Sequence, residues 1–479
     1  MLISAVIGTF LVLAVYYCRQ VIFAAIIILI AFFVAAVVKK KLKKAIIVLV
    51  FSALICGSLI FNFEDISRLN KLCNRVITED FVIEKEPVNY GENYVAKAIC
   101  MSDNVFKKGD KICLNYDDGD IAVGDKVRVS LTVKPINNSR YRISYYSEGI
   151  YVKGSVRNFS SVETDDSVLC FVPELRKSIK NILLNYLSYE NQAFVSALTI
   201  GDRSDLSSDF NDRVKASGTS HIIVVSGMHL VILIGGFISF LKRIIYNKYA
   251  FFFISLVCVF GFAAVCGFTM SVIRAGITYL LFAAAPLFNR ESDPLNALGA
   301  TVVIVMLFSP FAIFSISFQL SVMSTFGILT LAPFLTNQIY YGMRLGGKLS
   351  FKLVQVASVT LAATIMTAFL TVYYFGYLSL VAILANIFVT FAVTVVLTLS
   401  VIGVATVFVT GFSVFSEILF NAVSLLTDYI AYVISLTGNF KFSAIPMPKM
   451  FALVFGASAV FLLLLKAINK RIKEKREIN

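Results

Sequence analysis

His221 and His229 are the only histidines in the chain, and both lie in SGTSHIIVVSGMHL (217–230). Just upstream, the charged stretch GDRSDLSSDF (201–210) leads into this apolar segment. Such residues admit three chemistries. Ser226 and His229, about one helical turn apart, could serve as nucleophile and base in an intramembrane hydrolase, although no acid nearby in sequence orients the imidazole. A metal site would need more, because two histidines without a Cys or carboxylate cluster fall short of a ligand set. The third option is that polar side chains inside a membrane segment line a path or gate, or bond between helices. If 218–234 is helical, His221, Ser226 and His229 fall within an arc of roughly 140°, at about 100° of rotation per residue. One face is then polar, and Gly218 and Gly227 allow another backbone to come close. The favoured reading is a path or gate lining, with no catalytic residue, no metal and no cofactor.

Further polar residues follow in the apolar part. GFTMSVIRAG (267–276) puts Arg274 in or at the mouth of a span, beside Thr269 and Ser271. It either snorkels to the interface, meets an anionic substrate or completes a buried ion pair. Gln319 and Ser321 can bond to neighbouring helices, and Asn386 is placed to cap a half-helix. Arg290, Glu291 and Asp293 make a short charged loop. Of the eight cysteines, Cys18, Cys56, Cys258 and Cys266 lie in or beside apolar segments and read as small fillers. Cys73, Cys100, Cys113 and Cys170 fall in a polar region, where Cys100 and Cys113 could form a disulfide across a hairpin.

The elements that must hold these residues are mostly membrane helices. A mean hydropathy of +0.82, with 58% hydrophobic and 15% charged residues over 479 positions, describes a polytopic membrane protein. The net charge of +14 invites a nucleic-acid reading, but residues 64–170 hold 15 Lys+Arg against 17 Asp+Glu. The basic excess therefore lies in loops beside apolar segments, where the positive-inside bias places it for any substrate.

Three spans are expected at 2–17, 21–38 and 45–63, and the first lacks the basic n-region of a signal peptide. KKKLKK (39–44) should be cytoplasmic, which puts the N-terminus inside and residue 64 outside. From 64 to 170 the pattern is that of a small extracellular β-barrel of OB type. KVRVSLTVK (126–134) alternates most clearly, and strands are also expected at 94–100, 111–116, 141–146 and 150–156. Residues 171–200 are expected to hold an amphipathic interfacial helix, with Leu175, Ile179, Ile182, Leu183 and Tyr186 on its apolar face.

From 201 to 466 the chain reads as a transmembrane module, with spans near 219–241, 250–268, 271–288, 294–309, 311–335, 353–374, 413–436 and 450–466. The uncharged stretch 377–410 is 34 residues long, too short for two spans, and reads as a re-entrant half-helix plus one crossing. That makes about twelve spans, and the basic tail 467–479 is then cytoplasmic.

These segments resemble the competence (ComEC) family, membrane proteins that carry incoming single-stranded DNA across the cytoplasmic membrane during natural transformation. The resemblance rests on GDRSDLSSDF, SGTSHIIVVSGMHL, GFTMSVIRAG, NRESDPLNALG (289–299), SPFAIFSISFQLSVMSTFGIL (309–329) and YYFGYLSLVAILAN (373–386), in that order. The outer domain is similar to that family's extracellular OB-like domain. The resemblance implies that Gly201, Asp202 and Arg203 at the entry, then His221, Ser226, Gly227, His229, Arg274, Gln319, Ser321 and Asn386, belong to a conserved membrane core. Met228 replaces the family's usual leucine, Ser309 an acid, and Phe391 stands near a usual proline.

Many members also carry a metallo-β-lactamase-like nuclease domain, which needs an HxHxDH ligand set that two histidines cannot supply. The expectation is a conduit without nuclease, ATPase or metal site. Its expected partners are single-stranded DNA, a surface DNA receptor, a separate nuclease, a cytoplasmic DNA-translocating ATPase and the lipid bilayer, with a homo-oligomer also allowed. No GxxxxGK[ST] phosphate loop is present, so translocation energy would come from a partner or a gradient. An intramembrane hydrolase using Ser226 and His229, or an exporter of lipids or small anions, is the rival reading.

Overall fold

The computed structural model describes residues 42–89, 94–117, 121, 125–137, 142, 145–163, 168–203, 205–223, 227–289, 291–343, 347–379, 381–411, 413–440, 443–458 and 462. The expected spans at 2–17 and 21–38, Ser226, Arg290 and the basic tail lie outside the described residues. The chain divides into two compact units, one of residues 1–178 with 299–318 and one of 179–298 with 319–479.

The first unit is built on a barrel. Helix α1 (Leu42–Asn70) leads into β1 (Val76–Asn89), β2 (Tyr94–Cys100), β3 (Lys111–Tyr116), β4 (Lys126–Pro135) and β5 (Ile150–Glu163). These close in the order β1-β2-β3-β5-β4, with β3 and β5 parallel and the other pairs antiparallel. This is the small Greek-key barrel that the alternation of 126–134 predicts. Val127, Val129, Leu131 and Val133 are wholly buried inside it. Two details differ from expectation. Residues 142 and 145–147 are helical, so the strand expected over 141–146 is not found at its described residues. β1 was not anticipated, because acidic residues interrupt its apolar positions. One of them, Glu79, is itself buried, accepting hydrogen bonds from Ser102 Oγ, Asn104 Nδ2 (3.3 Å) and the Val105 N–H (2.8 Å).

Cys100 and Cys113 do not form the disulfide that the sequence allowed, and both thiols are free. Register explains this: Cys113 lies opposite Lys97, while β2 carries Ala96, Ala98 and Cys100 inward. Cys113 instead sits on the outer face under Ile136, Ile150 and Tyr145. Facing opposite sides of the barrel wall, the two sulfurs cannot reach the geometry of a bridge.

Residues 299–318 belong to the same unit. Ser58 Oγ donates to the Leu307 carbonyl (2.9 Å), and Ser309 Oγ to that of Ser147 (3.0 Å). Phe311, in a 3-10 turn over Pro310–Phe314, meets Phe63, Tyr146 and Tyr151 edge-on at 5.7, 5.8 and 6.4 Å. Tyr146 and Tyr151 are therefore packing residues.

The second unit is helical. It takes in α2 (Val168–Tyr186) from Ile179, then α3 (Tyr189–Thr199), α4 (Ser208–Ser217), the interrupted α5 (Gly227–Leu241), α6 (Lys248–Val265) and α7 (Met270–Ala284). α8 (Pro294–Phe308) and α9 (Ile316–Thr330) run across the division between units. α10 (Ala332–Gly342), α11 (Lys348–Phe375), α12 (Ala382–Thr410) and α13 (Val414–Gly438) follow, and β6 (Tyr377–Ser379) pairs antiparallel with β7 (Ala444–Pro446). The core joins α2 and α3 to α12 and α13 through Leu183, Phe194, Leu198, Val393, Leu397 and Phe420.

Among the described residues, five helices are long and apolar enough to cross a membrane, or six if α9 and α10, bent by 44°, make one span. The chain is thus a multi-pass helical protein with a small barrel. The expected spans 219–241 and 294–309 form shorter apolar helices, Gly227–Leu241 and Pro294–Phe308.

Two expectations are corrected in this unit. Stretch 377–410 contains no half-helix: β6 takes 377–379, and α12 then continues for 29 residues. No proline or charge breaks it, and at 1.5 Å per residue it is about 44 Å long, ample for one crossing. Asn386 accordingly sits in the body of a continuous helix and caps nothing. The amphipathic helix expected within 171–200 is α2, after which Ser188 Oγ accepts from the Asn191 N–H and starts α3; its setting is what differs. The apolar face of α2 packs on protein through Ile182 and Leu183.

Candidate functional site

The histidine-bearing motif starts at a forced turn. α4 ends at Gly218, whose φ of +74° is left-handed. A Cβ added there would stand 2.6 Å from Ala382 Cβ and 2.8 Å from Ser379 Cβ. Ser379 Oγ also donates to the Ala216 carbonyl at 3.0 Å. SGTSH and YLSLVAILAN, far apart in sequence, therefore meet at the start of α12.

Ser220–Ile223 and Gly227–Leu230 are helical, and a π segment covers Val231–Gly235. Such widenings recur at functional sites, because they re-aim the side chains that follow. The helix expected over 218–234 is thus not one regular piece. His221 has helical backbone, its side chain and all of Ser226 lie outside the described residues, and His229 is fully buried.

The structure brings three of the predicted residues together. Arg274, on α7, is buried at 7% exposure, and its Nε donates to Ser321 Oγ of α9 at 2.7 Å. Its Nη2 lies over Gly227 of α5. A Cβ on Gly227 would come within 3.0 Å of that nitrogen and 2.8 Å of Ala275 Cβ. Glycine is needed at 227 because the guanidinium occupies the space of a side chain. Among the described residues, no carboxylate pairs with Arg274, and the sequence has no acid between Asp293 and Glu417. The site is a desolvated cation fixed by the Ser321 hydroxyl and lying over the bare backbone of Gly227, open in chemical terms to an anion.

Gln319 belongs to a separate contact. It is two residues before Ser321, about 200° round the helix, so Ser321 meets α7 while Gln319 faces α11. There the Tyr374 hydroxyl donates to Gln319 Oε1 at 2.9 Å. Sequence reasoning missed Tyr374, although it stands in the quoted YYFGYLSLVAILAN segment. Asn386 is buried, and its Oδ1 meets no hydrogen-bond partner among the described residues. Among the described residues, no hydrogen bond joins Asn386 to the Arg274 cluster, whereas His229 stands on the turn of α5 that packs against α7.

The entry residues divide similarly. Gly201 is left-handed at φ +76°, and Arg203 points outward. Asp202 is buried and lies 3.0 Å from Lys180 Nζ, which is also 2.8 Å from Asp205. Burial works against the ammonium, but the Asp205 and Asp202 carboxylates outweigh it and hold Lys180 above the usual lysine range. The motif's acid thus ties α2 to the α3–α4 connection, a positioning role.

A family model described as "Competence protein" matches residues 198–471. The chain is similar to ComE operon protein 3 of Bacillus subtilis (strain 168), 24% identical over 336 residues. That alignment covers 69% of this chain and 41% of the relative, so the chain spans less than half of the relative's length. No solved structure matches.

Proposed function

We propose, from the premise that this chain belongs to the competence protein family, that it conducts single-stranded DNA across the cytoplasmic membrane as part of DNA uptake. The observation that carries this reading is Arg274. A buried guanidinium without a carboxylate is costly in an apolar helix bundle and persists where function supplies the anion. A phosphodiester is such an anion, and guanidinium matches it in planarity and charge. Ser321 fixes Nε, and Gly227 leaves room for Nη2. The cation is therefore oriented before a strand arrives, so little ordering is needed for each phosphate that passes.

His229 and Asn386 would line neighbouring parts of the same path, while Asp202 with Lys180 fixes the entry. The barrel would receive the strand on the outer side. A surface DNA receptor, a separate nuclease and a cytoplasmic ATPase would complete the machinery, and no hydrolysis is assigned to this chain.

The test is uptake of labelled DNA into a nuclease-resistant state in cells carrying Arg274→Ala, with the amount of protein in the membrane measured alongside. Loss of uptake at unchanged abundance supports conduction, whereas normal uptake overturns it. Ser226→Ala addresses the hydrolase reading, and full uptake in that variant removes it.

A further inference from the structure

Away from the Arg274 cluster, the end of α10 and the start of α11 line an open cleft of about 520 Å³ with Tyr340, Tyr341, Gly347, Lys348, Phe351 and Lys352. Its aromatic wall is ordered: the Tyr340 ring meets Tyr341 edge-on at 5.4 Å and Phe351 at 5.2 Å. Its charge is one-sided. Arg344, Lys348 and Lys352 are the only charged residues between Asp293 and Glu417, and no acid pairs with either lysine among the described residues.

The cleft also opens onto apolar surface. α11 from Ser350 onward is long and apolar enough to cross a membrane. Its first turns leave Leu353 and Val356 exposed at 59% and 50%, next to the cleft.

We propose that this cleft binds the headgroup phosphate of an anionic phospholipid. Lys348 and Lys352 take the phosphate, the tyrosines sit at headgroup depth, and the acyl chains follow Leu353 and Val356. Basic pockets beside membrane helices recognise headgroups in this way, and tyrosines favour the same interface. A nucleic-acid strand fits the cleft less well. A polyanion is held by a row of cations following its phosphates, and this cleft offers two lysines beside an apolar helix face. The proposal requires only that α11 lies in a bilayer, and does not rest on DNA conduction.

The experiment is native mass spectrometry of the full chain released from nanodiscs of phosphatidylcholine containing one-fifth phosphatidylglycerol. The wild type should retain phosphatidylglycerol in preference to phosphatidylcholine. The Lys348→Ala/Lys352→Ala double variant should lose that preference by roughly tenfold or more, from about fivefold per lysine. The Lys348→Arg/Lys352→Arg variant, which keeps the charges, should retain it and shows that the loss is not misfolding. Equal retention of both lipids by the wild type, or an unchanged preference in the alanine variant, overturns the proposal. So does displacement of phosphatidylglycerol by inorganic phosphate or by a single-stranded oligonucleotide, which would make the ligand a free anion or nucleic acid. An Arg274→Ala protein that loses uptake yet keeps its lipid preference shows that the two readings fail independently.

Discussion

An arginine at the centre of a membrane helix costs about 2.5–3.5 kcal/mol on insertion scales and less toward an end; Arg274, the fifth residue of α7 and buried, still needs a local reason to be there. The structure supplies a hydroxyl at Nε and a glycine under Nη2, and leaves the charge for an anion to complete. Gly227 is then as sensitive as the arginine. Gly227→Ala should push the guanidinium aside, costing about 1–3 kcal/mol of overpacking. It should lower both the detergent melting temperature and DNA uptake, and an unchanged melt with full uptake would show that Gly227 is not a contact of this kind.

In the barrel, Arg128 grips Asp80 with Nε and Nη2 at 2.6 and 2.8 Å. The hydrogen bonds to Arg128 hold the Asp80 carboxyl below its ordinary value. A depressed acid contributes stability above its unfolded pKa of about 3.9, and that contribution disappears as pH falls through the lower folded value. With side chains 58% and 39% exposed, the pair is worth under about 1 kcal/mol. Asp80→Asn should therefore slightly weaken hydrogen-exchange protection of β1 and β4 at pH 7 and leave it unchanged near pH 2. An equal effect at both pH values would contradict the assignment.

Elements were legible in the sequence where one period dominated. Val127 to Val133 alternate without interruption, and that strand is where expected. β1 was not, because Glu79 faces inward on hydrogen bonds from a loop that no local pattern announces. The 141–146 stretch fits period two as readily as a helical turn, and its described residues 142, 145 and 146 are helical, with Tyr146 packed edge-on against Phe311. The uncharged 377–410 stretch misled through length alone: three residues pair with Ala444–Pro446, a partner some 65 positions away. At the site, residue types were readable, but grouping was not. Gln319 and Ser321 are neighbours in sequence that face different helices, and Tyr374 had no signal of its own.

Two tests belong to this scale. Gly218→Ala places a Cβ against Ala382 and forces a left-handed φ on alanine. It should destabilise the folded chain by about 1–3 kcal/mol, read as a lower melting temperature in detergent; no shift would mean the α4–α12 contact is loose. Cys100 and Cys113 are buried, and burial raises both thiols above their ordinary range. Both should resist maleimide in the folded chain and react after denaturation without reductant. A mass two hydrogens short, with no labelling of either, would indicate the disulfide that the register excludes.

For the whole molecule, the charge distribution and the family assignment point the same way. The barrel region is slightly acidic and the basic excess lies elsewhere, so under the proposed function bulk charge on the barrel would not capture a strand. Under the proposed conduction, selectivity for a polyanion would fall to buried cations such as Arg274, whose Nε is fixed by Ser321. The competence model covers 198–471 and so includes all of that cluster. The most direct measurement is nuclease-resistant uptake of labelled DNA in cells carrying Arg274→Ala or Arg274→Lys, normalised to membrane abundance. Conduction past this cation predicts at least a tenfold loss for alanine, partial retention for lysine, and unchanged abundance for both. Full uptake in Arg274→Ala at normal abundance would contradict the account.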